Sequence, residues 1–188
     1  AYLLSEFVAN FGRSAQDNLF ATWGGSPTPK ALRLSELSDN PAQRDNWRSA
    51  LERLTTVELL DADGEAAAPV LADQRINAAV GQVLRLGQEG GVAAVMHENA
   101  QFGYERNMYG FRQIGRAIAA LCLVIQILAI ALPIEVSTPA CLIGVVVSGA
   151  FLVLWMTLPS EKRTELAGAR YARQLLIAAA NENRNCTS

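Results

Sequence analysis

AIAALCLVIQILAIALPI, residues 117–134, and ACLIGVVVSGAFLVLWMTL, residues 140–158, carry no charged side chain over eighteen and nineteen positions. A bilayer core about 30 Å thick takes about 20 helical residues at 1.5 Å each, so either run is just long enough to span it. The competing reading is a hairpin buried in a soluble core. Two adjacent uncharged runs of this length would need a large surrounding domain, and a chain of 188 residues is too short to supply one. A signal peptide fails on position, because the runs begin after residue 116. Between the runs lie Glu135, Val136, Ser137, Thr138 and Pro139, a link so short that it forces an antiparallel hairpin. From Ala117 to Pro159 the single charge is Glu135, whereas the other 145 residues hold 33 charges, close to the soluble average. Two materials are joined here, a polar part and an apolar insert. That pattern excludes a purely soluble protein, a disulfide-rich secreted domain and a disordered tail.

Lysine and arginine placement orients the hairpin. Arg106, Arg112 and Arg116 precede the first run, Lys162, Arg163, Arg170 and Arg173 follow the second, and the connecting loop has none. The positive-inside rule therefore puts both termini in the cytoplasm. Trp155 near the inner end of the second run fits an interfacial aromatic belt, as do Tyr104, Tyr109 and Phe111 before the first. Cys122 and Cys141 fall in opposite leaflets of such a hairpin, too far apart for a disulfide, and Cys186 lies in the tail, so reduced cysteines are expected.

The flanks read as helices, giving an all-α integral membrane protein with a helical cytoplasmic domain. Residues 1–114 form that domain, 115–158 the transmembrane hairpin, with spans at 117–134 and 140–158, and 159–188 a cytoplasmic C-terminal helix. Leu4, Phe7, Val8, Phe11, Ala15 and Leu19 recur at helical spacing, and the Trp23–Pro29 stretch breaks that first helix. Asn40 and Pro41 mark a helix start, with Trp47, Ala50, Leu51, Leu54 and Val57 as its stripe. The 61–65 segment, DADGE, reads as a solvated acidic loop. A third helix covers Pro69–Leu86, with Ile76, Ala79, Val80, Val83 and Leu84 on one side and 87–91 as its end; a fourth starts near Val92 and leads into the first span. Ser160 caps the tail helix, whose apolar face is Leu166, Ala169, Ala172, Leu176 and Ala179. Net charge is −3 over residues 1–116 and +2 after 158, which weakly favours docking of the tail beneath the N-terminal domain.

Catalytic chemistry finds no support. The sole histidine, His97, has Gln101 where a zinc-protease helix needs a second histidine, and no CxxC, P-loop, GxGxxG or GxSxG occurs. His97 reads as a partly buried structural residue, and Trp23-Gly24-Gly25 as a tight turn. Neither a metal nor a cofactor is expected. A net charge of −2 without a dense basic run also argues against direct nucleic-acid binding.

Two constellations remain. Residues 98–116 interleave Phe102, Tyr104, Tyr109 and Phe111 with Arg106, Arg112 and Arg116, and hold Gly103, Gly110 and Gly115. Rings at headgroup depth with arginines on lipid phosphate is one reading; a glycine-weakened hinge coupling the cytoplasmic domain to the spans is another; base stacking is a third. Within the spans, Gln126 and Ser148 match in depth, and a mid-bilayer amide needs a partner. Gly144 and Ser148 make a small-xxx-small pattern that Gly149 widens. These four residues fit either packing of the hairpin on itself or a homo-oligomer interface. Two helices cannot enclose a polar path, so a channel needs several copies.

Two spans, a tiny outer loop, helical cytoplasmic flanks and no catalytic motif resemble small bacterial two-span membrane proteins of the SLATT kind, and the stretch FGYERNMYGFR, residues 102–112, looks like the juxtamembrane region of other bacterial proteins of similar length. The likeness covers about residues 98–180 of the chain and is mostly architectural. It implies an oligomeric, non-enzymatic effector or channel of the inner (plasma) membrane. Such proteins are pore-forming or membrane-perturbing effectors in anti-phage defence, gated by a cytoplasmic signal from a nucleotide or a protein. A non-enzymatic membrane anchor that recruits a cytoplasmic partner through residues 1–100 is the alternative.

Overall fold

A computed structural model describes residues 2–89, 93–132 and 137–185. Pro133 and Ile134 at the end of the expected first span, Glu135 and Val136 of the expected outer loop, Gly90 and Gly91 at the expected end of the third helix, Val92 at the expected start of the fourth, and Cys186 lie outside the described residues. Among the described residues the chain is all-helical, with α1 (Tyr2–Thr22), α2 (Pro27–Leu32), α3 (Pro41–Thr55), α4 (Ala62–Ala67), α5 (Pro69–Glu89), α6 (Ala93–Ala131), α7 (Thr138–Thr157) and α8 (Glu161–Asn185). These fall into two compact units that do not follow chain order. One comprises Asn18–Gly103 and Glu165–Ser188, the other Ala1–Asp17 and Tyr104–Thr164.

The first of these is a helical unit built on an aliphatic core. Leu32 of α2, Trp47, Ala50 and Leu51 of α3, Ile76, Ala79, Val80 and Val83 of α5, Val95 of α6, and Leu175, Leu176, Ala179 and Ala180 of α8 close it. α3 begins as its sequence demands: the Asn40 side chain accepts from the Gln43 amide at 3.0 Å and Pro41 fills the first position. It ends on Thr56 in the left-handed region, φ 56°, a place usually held by glycine. Gly24 and Gly25 close α1 with positive φ, and the Gly25 amide donates to the Phe20 carbonyl at 2.8 Å.

Several expectations need correction. The break after Trp23 is followed at once by a helical turn and a half, α2, because Pro27 and Pro29 sit in its first turn, where a missing N–H costs nothing. The 61–65 segment is not a solvated loop. Asp61 caps α4 by accepting from the Gly64 amide at 2.8 Å, and Glu65 is buried. There Glu65 accepts from the Leu34 amide at 2.8 Å and from Arg48, itself buried and donating also to the carbonyls of Leu32 and Leu60. In the tail helix, Leu166 and Ala169 are exposed, and the buried face runs through Ala167, Ala172, Leu175, Leu176, Ala179 and Ala180. The register differs because Ala167, small enough to vanish into a helix contact, carries little hydrophobic signal of its own. His97 is exposed rather than half-buried.

The other unit contains the first part of α1, α6 from Tyr104 onward, α7 and the start of α8. α1 runs antiparallel to α6, with Gln16 at Arg106, Gly12 at Asn107, Phe11 at Gly110 and Phe7 at Phe111. A side chain on Gly110 would strike the Phe11 backbone, and one on Gly12 would strike Asn107. The crossing is therefore close because both helices present a glycine there. Ser160 does cap α8: its Oγ accepts from the Arg163 amide at 3.3 Å.

Candidate functional site

α6 and α7 are each long and apolar enough to cross a membrane. Only 11% of the most apolar stretch of α6 and 6% of that of α7 is buried, so neither packs as a buried core helix within this chain. Leu121, Val124, Ile125, Ile127 and Leu128 of α6 and Ile143, Val146, Phe151, Val153 and Met156 of α7 stand at least half or nearly half exposed. α7, at 20 residues, is about 30 Å long. The two helices are antiparallel, since Gly115 and Arg116 meet Trp155 while Gln126 meets Gly144 and Ser148.

At the middle of the pair, Gln126 Nε2 donates to Ser148 Oγ at 3.2 Å. Gln126 Oε1 is buried without a hydrogen-bond partner. Gly144 makes room for this amide, because a Cβ there would collide with its oxygen. Gln126, Gly144 and Ser148 thus form one internal contact of a single chain. Gly149 does not join them; nothing lies within contact range of a Cβ placed on it, and it faces open space.

The polar end of the pair is stitched by Arg116, whose Nε donates to the Trp155 carbonyl at 3.0 Å in the last turn of α7. A cation at a helix C-terminus satisfies an orphan carbonyl and opposes the helix dipole. The Trp155 ring lies over Gly115 and 6.0 Å from Phe111, which continues into Phe11 at 5.9 Å and Phe7 at 6.3 Å. Arg112 stacks on Tyr109, 3.5 Å above its ring. Arg106 donates to Gln16 and Asn107, and its pKa is lowered from the ordinary arginine value by burial first and by Arg13 second, though it stays charged at neutral pH. On α8, Arg163 pairs with the buried Glu105 at 3.0 Å, and the buried Thr164 hydroxyl lies 3.4 Å from the Glu105 carbonyl.

The juxtamembrane residues therefore separate. Arg106, Tyr109, Phe111, Arg112 and Arg116 belong to the collar at the polar end of the helix pair, and Tyr104 is exposed. Phe102 is not at a lipid-facing position; it is buried in the other unit, stacked on Tyr171 with centroids 6.3 Å apart and planes 4° apart, and against Gly168. Burial raises the Tyr171 pKa and keeps its phenol neutral. α6 runs unbroken through Gly103, Gly110 and Gly115, of which the last two serve close packing. Sequence reasoning missed the contribution of α1: Phe7, Phe11 and Gln16 sit far from residues 104–116 in the chain, and only their helical spacing signalled a packed face. Cys122 and Cys141 are free. No cluster of three or more metal-ligating side chains occurs among the described residues.

No protein-family model, no curated protein and no solved structure matches this chain.

Proposed function

We propose that this chain is a two-span protein of the inner membrane that self-assembles into a non-enzymatic effector or channel, controlled by a cytoplasmic signal received by its helical unit. The observation that carries the membrane part is the exposure of both apolar helices: an antiparallel pair with aliphatic side chains on its outside needs hydrocarbon around it. Lysines and arginines flanking both spans support cytoplasmic termini. Self-assembly is supported by Gly149, an open small-residue position on an otherwise aliphatic face, which allows a second copy to approach closely. A role in anti-phage defence is what the SLATT-like layout implies, with a nucleotide or a cytoplasmic protein as the signal and the lipid bilayer as the target. Direct binding of nucleic acid has no place in this reading.

A second reading, a membrane anchor for a cytoplasmic partner, is favoured by one specific observation. The Gln126 amide N–H donates to the Ser148 hydroxyl within a single chain, so that membrane-centre donor is met without another copy. The deciding experiment is crosslinking in native membranes together with a membrane-potential dye. Self-assembly predicts crosslinked multimers and depolarisation on activation, both diminished in Gly149→Leu. Monomers in a tight membrane under every condition favour the anchor.

A further inference from the structure

The helical unit carries a cleft of about 520 Å³, within the size range of small-ligand sites, walled by α2, the 33–40 segment, the start of α3 and α8. Cations converge on it from three helices and the segment after α2: Lys30, Arg33, Arg44 and Arg173. Arg33 is matched by Asp73 at 2.7 Å. Among the described residues, no ion pair engages Lys30, Arg44 or Arg173. Glu36 and Asp39 also border the cleft and pair with none of these cations.

Arg44 is the informative group. Its Nη1 donates to the Arg33 carbonyl at 3.0 Å and the Glu36 carbonyl at 2.9 Å, which pins the guanidinium plane. Its Nε is buried and unpartnered, and among the described residues Nη2 has no hydrogen-bond partner either. Nε has no accessible surface, so the Nη2 end is the donor that Arg44, as a lining residue, offers to a phosphate oxygen. Trp47 lines the same cleft and offers an apolar wall, and the N-terminus of α3 adds partial positive charge.

We propose that this cleft binds a soluble phosphate-bearing anion, held by Arg44 and neutralised by Arg173 and Lys30. The proposal does not depend on the membrane reading, since every residue involved belongs to the helical unit.

The test is calorimetric titration of the full chain in neutral detergent with sodium pyrophosphate at constant ionic strength. Saturable binding is expected. Arg173→Gln should weaken it several-fold, and so should Arg44→Lys, which keeps the charge but loses the planar, carbonyl-anchored donor. Because Arg44 also holds two carbonyls, Ala169→Glu supplies a second variant. Ala169 is exposed on the cleft wall, and a carboxylate there should abolish binding without touching the core. Lys162→Gln, in the other unit, should change nothing. Soluble dihexanoyl phosphatidic acid forms the comparison arm. Affinity weaker than about 1 mM, heat that merely tracks ionic strength, a response to the lipid phosphate alone, or full binding by Ala169→Glu would each overturn the proposal.

Discussion

Glu65 shows how one buried carboxylate can organise several segments. It joins the Leu34 amide to Arg48, which in turn reaches the carbonyls of Leu32 and Leu60. Removing one partner strands the other charge, so Glu65→Ala is expected to cost about 3–5 kcal/mol, while replacing both with apolar residues of similar volume should cost far less. Chemical denaturation of the two variants checks this, and equal losses would contradict it. Thr56 makes the opposite prediction. A β-branched residue at φ 56° is strained, and its side-chain bond reaches only the carbonyl of Thr55. Thr56→Gly should stabilise by up to about 1 kcal/mol, read as a rise in the unfolding midpoint. Neither residue announced itself in the sequence: a carboxylate in DADGE and a threonine in a TT pair look like surface.

Helix pairs are held by missing side chains as much as by present ones. Where α1 crosses α6, Gly110 admits the Phe11 backbone, whereas nothing approaches Gly103 on the same helix. Gly110→Leu should therefore release α1 and expose it to limited proteolysis, and Gly103→Leu should not. Equal protection in both variants would count against a glycine-dependent crossing. In the α6–α7 pair, Gln126→Leu removes a bond of about 0.6 kcal/mol on membrane averages together with a buried, unpaired carbonyl. The expected result is unchanged insertion and little or no loss of thermal stability in detergent. Gly144→Leu, which drives a side chain into the Gln126 amide, should lower that stability clearly. The matched depth of Gln126 and Ser148 was legible from residue counting, because two helices joined by a short link have only one antiparallel register. The sequence offered no means to decide which of Gly144 and Gly149 faces inward, since both are small and five residues apart.

Seven flanking lysines and arginines against none between the spans make topology the property most open to a single experiment. In a cysteine-free background, Ser137→Cys should react with an impermeant maleimide from outside intact cells. Leu37→Cys, at a fully exposed site of the helical unit, should react only after permeabilisation. Reaction of both from the same side would dismiss the hairpin orientation. The partition into two units adds a point that linear reading misses. α1, α6 and α8 each contribute residues to both units, so deleting either flank would remove parts of each.

Composition and periodicity alone determined that the chain is helical, that two segments can span a bilayer, where α1, α3, α5 and α8 lie, and that no catalytic motif is present. Those properties are local: uncharged length, 3.6-residue spacing and capping residues act within a few turns. Tertiary structure alone decided that Glu65 is buried, that Phe102 leaves the juxtamembrane collar for the core of the helical unit, that Phe7 and Phe11 complete that collar, and that the buried Arg44 Nε is left without a partner. Each of these depends on partners distant in the chain. A side chain's type states which bonds it can make, but only the packing of helices fixes which of those bonds are taken and which remain free.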